Sequence, residues 1–119
     1  PARILKNGGL STFASVEVGT RVYCMNGNRE RLVERAGKVA AAAAAALPGG
    51  GANVAGALIV YCAGCMLAVG EEMPSVARTV AESLEGRPFI GCFTFGEQGF
   101  MIDRNAHGNL MISAVAFGH

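Results

Sequence analysis

Tryptophan is absent from the 119 residues, charged side chains make up only 16%, and neither sign prevails, with ten Lys or Arg against nine Asp or Glu. A formal net charge of +1 lacks the basic excess that neutralising a phosphate backbone requires, so nucleic acid is not an expected partner. Sparse charge beside 51% hydrophobic residues also excludes the disordered classes. The first nine residues carry Arg3 and Lys6 but no apolar segment, which is not the pattern of a secretory signal. No long unbroken apolar run replaces it. Residues 39–47 and 52–69 are rich in alanine and interrupted or bounded by Gly, Pro or polar groups, and neither reads as a membrane span.

A chain of this length suits one domain. Its four cysteines, Cys24, Cys62, Cys65 and Cys92, occur without an export signal and read as reduced thiols, which makes the cytoplasm the expected compartment. Seventeen glycines, the missing tryptophan and a first residue Pro1 read together as a piece excised from a longer protein.

Residues 10–14 and 21–25 lean towards strand, and residues 17–20 can turn the chain between them into a hairpin. Asn28 then suits a helix N-cap, and Leu32, Ala36, Val39, Ala43 and Leu47 recur at helical spacing until Pro48 and three glycines stop them. Residues 57–61 form a branched apolar run of the kind buried on both faces of a sheet. A second helix is expected from Pro74 to about Leu84, with Val76, Ala77, Val80 and Leu84 on one face, ended by Gly86 and Pro88. Residues 89–95 read as a third buried strand, 96–108 as a polar loop and 110–117 as a final antiparallel strand. The expectation is an α/β fold of the two-layer α+β kind, a mixed sheet in the order β-β-α-β-α-β-β with two helices packed on it.

Strands linked through helices run parallel, so the ends of the strands at Met25, Tyr61 and Phe95 should share one rim, to which the start of the last strand returns. Open α/β sheets bind ligands at such a rim. It collects Asn26, Cys62, Cys65, Thr94, Glu97 and His107.

The spacing Cys62-Ala-Gly-Cys65 suits a redox dithiol or half a zinc site. A redox dithiol wants its first thiol at the start of a helix, whereas the helix here is expected only near Pro74. A closed zinc site needs two more ligands, and Cys24, Cys92 and His107 supply no second paired spacing. Cys24 and Cys92 read as small packed thiols. Glu97 directly follows an expected strand and stands among glycines, so its carboxylate is either a receiver for an amine or a local loop contact. His107 is a donor, a metal or haem ligand, or an ordinary polar residue. No serine sits in a nucleophile elbow, and Gly49 to Gly51 lack the Lys-Ser/Thr of a phosphate loop.

The stretches GALIVYCAG (56–64), GCFTFGE (91–97) and HGN (107–109) before an apolar strand resemble the C-terminal FIST domain, as do VGTRV (18–22) and the helix start after Asn28. The resemblance implies an intracellular sensory domain of signal-transduction proteins that binds a small ligand such as an amino acid; it does not imply catalysis, and no catalytic constellation is evident in the residues. It implies residues 1–119 as a single FIST C-like domain whose partner is an N-terminal FIST domain of the same protein, with neither membrane nor nucleic acid involved and with homo-oligomers in reach. Its site residues would be Cys62, Gly64, Gly96, Glu97, His107 and Asn109, to which the rim adds Thr94. Cys65 stands where the family often has arginine, which removes the anion contact such an arginine would make. The alternatives are a haem- or metal-binding sensor using Cys62, Cys65 or His107, since some FIST proteins are associated with haem, or an interaction module without its own ligand.

Overall fold

The computed structural model describes residues 3–12, 15–24, 26–101, 103–108 and 110–119. The chain opens with β1 (Arg3–Ile4) and β2 (Leu10–Ser11), followed by α1 (Arg29–Ala45), β3 (Val54–Cys62), α2 (Ala63–Val69) and α3 (Met73–Ser83). β4 (Phe89–Thr94), β5 (Gln98–Met101), β6 (Arg104–His107) and β7 (Ile112–Gly118) complete it. The class is α+β, and the order strand, strand, helix, strand, helix, strand, strand is present, with α2 and the β5–β6 hairpin inserted into it. Among the described residues no helix is long and apolar enough to cross a membrane.

The central sheet runs β4-β3-β7. β3 pairs parallel with β4, Ala57 opposite Phe89 through to Cys62 opposite Thr94. It pairs antiparallel with β7, Ala57 opposite Ala116 through to Tyr61 opposite Ile112. β3 is therefore central, and the last strand has the expected direction. Because side chains alternate along a strand, this register sends Ala57, Ile59, Tyr61, Phe89, Ile112 and Ala114 to one face. That face packs against α1 and α3, and Ala36, Ala40, Ala44, Val76 and Val80 join it in the core. The alanine run explains the fit, since a helix with methyl side chains lies close to its neighbours without voids. Asn28 caps α1 as its position implies, its side-chain oxygen accepting the Arg31 N–H at 2.9 Å.

Among the described residues, nothing covers the opposite face of the sheet. Leu58 and Val60 are only half-buried, while Ile90, Val115 and Phe117 stay 69%, 52% and 54% exposed. The expectation that residues 57–61 and 89–95 are buried on both faces is thus corrected: helices cover a single face, and β4 is an edge strand. Cys92, expected as a packed thiol, alternates to the uncovered side and is exposed, and Cys24 is exposed as well.

The opening hairpin lies earlier than expected. Asn7-Gly8 makes the turn, with Gly8 at φ +82°, the Gly8 N–H on the Leu5 carbonyl at 3.0 Å and the Asn7 side chain accepting the Gly9 N–H at 3.0 Å. That local turn pairs Leu10 with Ile4. Residues 21–24 form no strand, while Ala14 and Met25, the expected strand ends, lie outside the described residues.

Candidate functional site

The carboxyl ends of β3 and β4 and the return into β7 meet at one rim, as parallel neighbours require. β3 runs directly into α2, so Cys62 ends the strand and Ala63 begins the helix. This corrects the expectation of a helix starting only near Pro74: α3 does begin there, but a short helix precedes it. The apolar CMLAV run after Gly64 supplies its inward residues, Cys65 and Val69, both fully buried.

Two backbone hydrogen bonds tie the rim together. The Cys62 N–H donates to the Met111 carbonyl at 3.2 Å, and the Gly108 N–H donates to the Glu97 carbonyl at 2.9 Å. The second closes the base of the β5–β6 hairpin, in which Gln98 pairs with His107. The expected polar loop is thus a hairpin whose two ends carry Glu97 and His107. Gly96 turns the chain out of β4 at φ +77°, a left-handed value that glycine adopts without strain.

These elements border an open cavity of about 490 Å³ lined by Cys62, Gly64, Leu67, Phe95, Gly96, Glu97, His107 and Leu110, of which Leu67, Phe95 and Leu110 are exposed. A second hollow of about 300 Å³ shares Phe95, Gly96 and Glu97 with it and adds Val60, Thr94, Gln98, Met111 and Ser113. Of the residues expected at the site, Cys62, Gly64, Gly96, Glu97 and His107 therefore border the larger cavity, and Thr94 borders the neighbouring one. Asn109 lies outside the described residues, and Asn26 borders neither hollow. The apolar walls Leu67, Phe95 and Leu110 were missed, because their neighbours come from three different elements.

Among the described residues no hydrogen bond or ion pair engages the Glu97 carboxylate or the His107 imidazole. Cys65 is buried behind the cavity wall, and burial together with the neighbouring Cys62 thiol pushes its pKa up to about 12. Arg35, on α1, donates to the Leu110 carbonyl at 3.3 Å, and its charge pulls the Cys65 pKa the other way. This cation was not foreseen either, since it reaches the rim from 75 positions away in sequence.

No three His, Cys, Asp or Glu side chains gather as metal ligands among the described residues, so Cys62, Cys65 and His107 do not form a closed metal set. For haem, His107 or Cys62 would be the axial donor, with Leu67, Phe95 and Leu110 lining the same hollow.

Residues 1–100 match the family model of the FIST C domain. The match takes in Cys62, Gly64, Thr94, Gly96 and Glu97 and ends before His107 and Asn109. No curated protein and no solved structure matches the chain.

Proposed function

The chain belongs to the FIST C domain family, a family of sensory domains of signal-transduction proteins, and on that premise we propose that the cavity at the ends of β3 and β4 binds a small amine-bearing ligand, an amino acid in the first instance. The observation that carries this reading is Glu97, a carboxylate bordering a cavity of about 490 Å³ with no hydrogen bond or ion pair to it among the described residues. Small-molecule sites usually measure about 300–1,000 Å³ and combine apolar walls with a few polar groups. Here Leu67, Phe95 and Leu110 are the walls. Glu97 would receive the ammonium group, His107 can donate a ring N–H to the ligand carboxylate, and the backbone at Gly64 and Gly96 leaves room for close approach. The role is binding and signalling rather than catalysis.

The free cysteines suit the reducing cytoplasm as its place of work. The uncovered apolar sheet face suits packing against an N-terminal FIST domain of the same protein or a second copy.

Thermal unfolding against a panel of amino acids tests the reading. A ligand that raises the wild-type midpoint is expected to lose that effect on Glu97→Ala, with the far-ultraviolet circular dichroism unchanged. Equal stabilisation of the variant would remove Glu97 from the site. The second reading, a haem-binding sensor, rests on His107 beside the apolar wall, where haem would add iron-centred gas binding. Titration with haem separates the two, since an absorption spectrum identical in wild type and His107→Ala would exclude His107 as an axial ligand.

A further inference from the structure

Cys62 and Cys65 lie at the end of β3 and in the first turn of α2, three residues apart. A Cβ added at Gly64 would stand 3.4 Å from the Cys62 sulfur, which places that sulfur over the turn joining the two cysteines. Cys62 borders the cavity, while Cys65 is fully buried behind it. Cys62 thus reaches the hollow with a small exposed fraction, 5%, whereas Cys65 is shielded completely. The three-residue spacing across the strand end and the helix start puts the two side chains at neighbouring positions of one turn.

We propose that Cys62 and Cys65 form a redox pair, oxidised to an internal disulfide by low-molecular-weight disulfides that enter the cavity. In the first step the Cys62 sulfur, as thiolate, attacks one sulfur of the incoming disulfide. The S–S bond of that molecule breaks, a mixed disulfide forms on Cys62, and one small thiol leaves, taking up the proton given by Cys62. In the second step the Cys65 sulfur attacks the Cys62 sulfur, releasing the second small thiol, which carries off the Cys65 proton. Two protein thiols are oxidised and one small disulfide is reduced to two thiols. The division of labour matches the surroundings: Cys62 meets the oxidant, and Cys65, held protonated by burial, acts only after the mixed disulfide has formed beside it. Arg35 and Glu97 act on Cys65 in opposite senses, the cation favouring its thiolate and the carboxylate opposing it. Oxidation would draw the Cys62 sulfur into the new bond and change the wall of the ligand cavity, giving the domain a second input. This inference does not depend on the identity of the ligand.

The experiment uses the whole chain in a Cys24→Ser, Cys92→Ser background, which removes the two exposed thiols. The protein is incubated with glutathione disulfide, quenched in acid, alkylated under denaturing conditions and cleaved with trypsin, which leaves Cys62 and Cys65 on one peptide between Lys38 and Arg78. The expected result is loss of both alkylatable thiols together, the peptide lighter than its reduced form by two hydrogen atoms and free of glutathione. With Cys65→Ala added, Cys62 should instead retain glutathione; with Cys62→Ala added, no adduct should form. A glutathione adduct that persists on Cys62 in the presence of Cys65, oxidation between two chains, or both thiols remaining free would overturn the proposal. The ligand assay on Glu97→Ala reads a different property, so either idea can fail alone.

Discussion

Gly37 of α1 lies directly against Thr79 of α3: a Cβ at Gly37 would stand 2.7 Å from the Thr79 carbonyl oxygen and 2.8 Å from the Ser83 hydroxyl. The Thr79 hydroxyl also lies 3.2 Å from the Val33 carbonyl of α1, besides 2.9 Å from the Val76 carbonyl of its own helix, so the two helices are in close contact here. Gly37→Ala should therefore destabilise the domain, although alanine is the better helix former by about 1 kcal/mol. Overpacking costs about 1–3 kcal/mol, and the obstacle is a carbonyl that moves only with its helix. The urea midpoint should fall with an unchanged slope. A variant as stable as the wild type would show that the helices can separate freely at this point.

The uncovered face of the sheet gives the second prediction. Ile112 and Val115 are both on β7, yet Ile112 is 7% exposed and Val115 is 52% exposed. Ile112→Ala removes core contacts and should cost about 2–4 kcal/mol, whereas Val115→Ala should cost well under about 1 kcal/mol. Equal costs in urea unfolding would mean that the outer face is covered in solution.

Most of the frame was legible in the sequence because it depends on strong local patterns. The run 57–61 became the central strand, the spacing after Asn28 became α1, and Pro74 to Leu84 matched α3 and its cap. What failed were choices between competing local signals. Asn7-Gly8 is a turn of higher local strength than residues 17–20 and captured the hairpin. The apolar residues of α2 continue those of β3, so periodicity could not separate the two elements. An apolar strand pattern likewise did not distinguish a strand covered on both faces from an edge strand with one side open, which is where Ile90 and Cys92 were misplaced. The rim itself was legible from connectivity alone, because parallel β3 and β4 and the return of β7 bring Cys62, Gly96 and Glu97 together with His107. Its apolar walls and Arg35 were not, since they depend on tertiary approach between distant segments.

The third prediction concerns alkaline pH. Burial, and secondarily the neighbouring Cys62, raises Cys65 from 9.0 to about 12. Burial, with Cys65 and Cys62 adding to it, raises Tyr61 from 10.0 to about 12. Both groups are neutral when protonated, and the folded state binds those protons more tightly than the unfolded chain does. Their contribution to stability is therefore fully present below the unfolded value and is lost as pH rises through the folded one. Under reducing conditions the urea midpoint should be flat up to about pH 9, where an unfolded thiol begins to ionise, and then decline steadily towards pH 12. Tyr61 adds to the decline from about pH 10. Its hydroxyl donates to the Leu32 carbonyl at 3.1 Å, so ionisation would also remove that bond. Cys65→Ala takes away the earlier part of the decline and leaves the later part, which separates the two groups. A midpoint that rises above pH 9, or a variant whose curve parallels the wild type throughout, would show that Cys65 is not shielded from solvent as the packing of α2 requires.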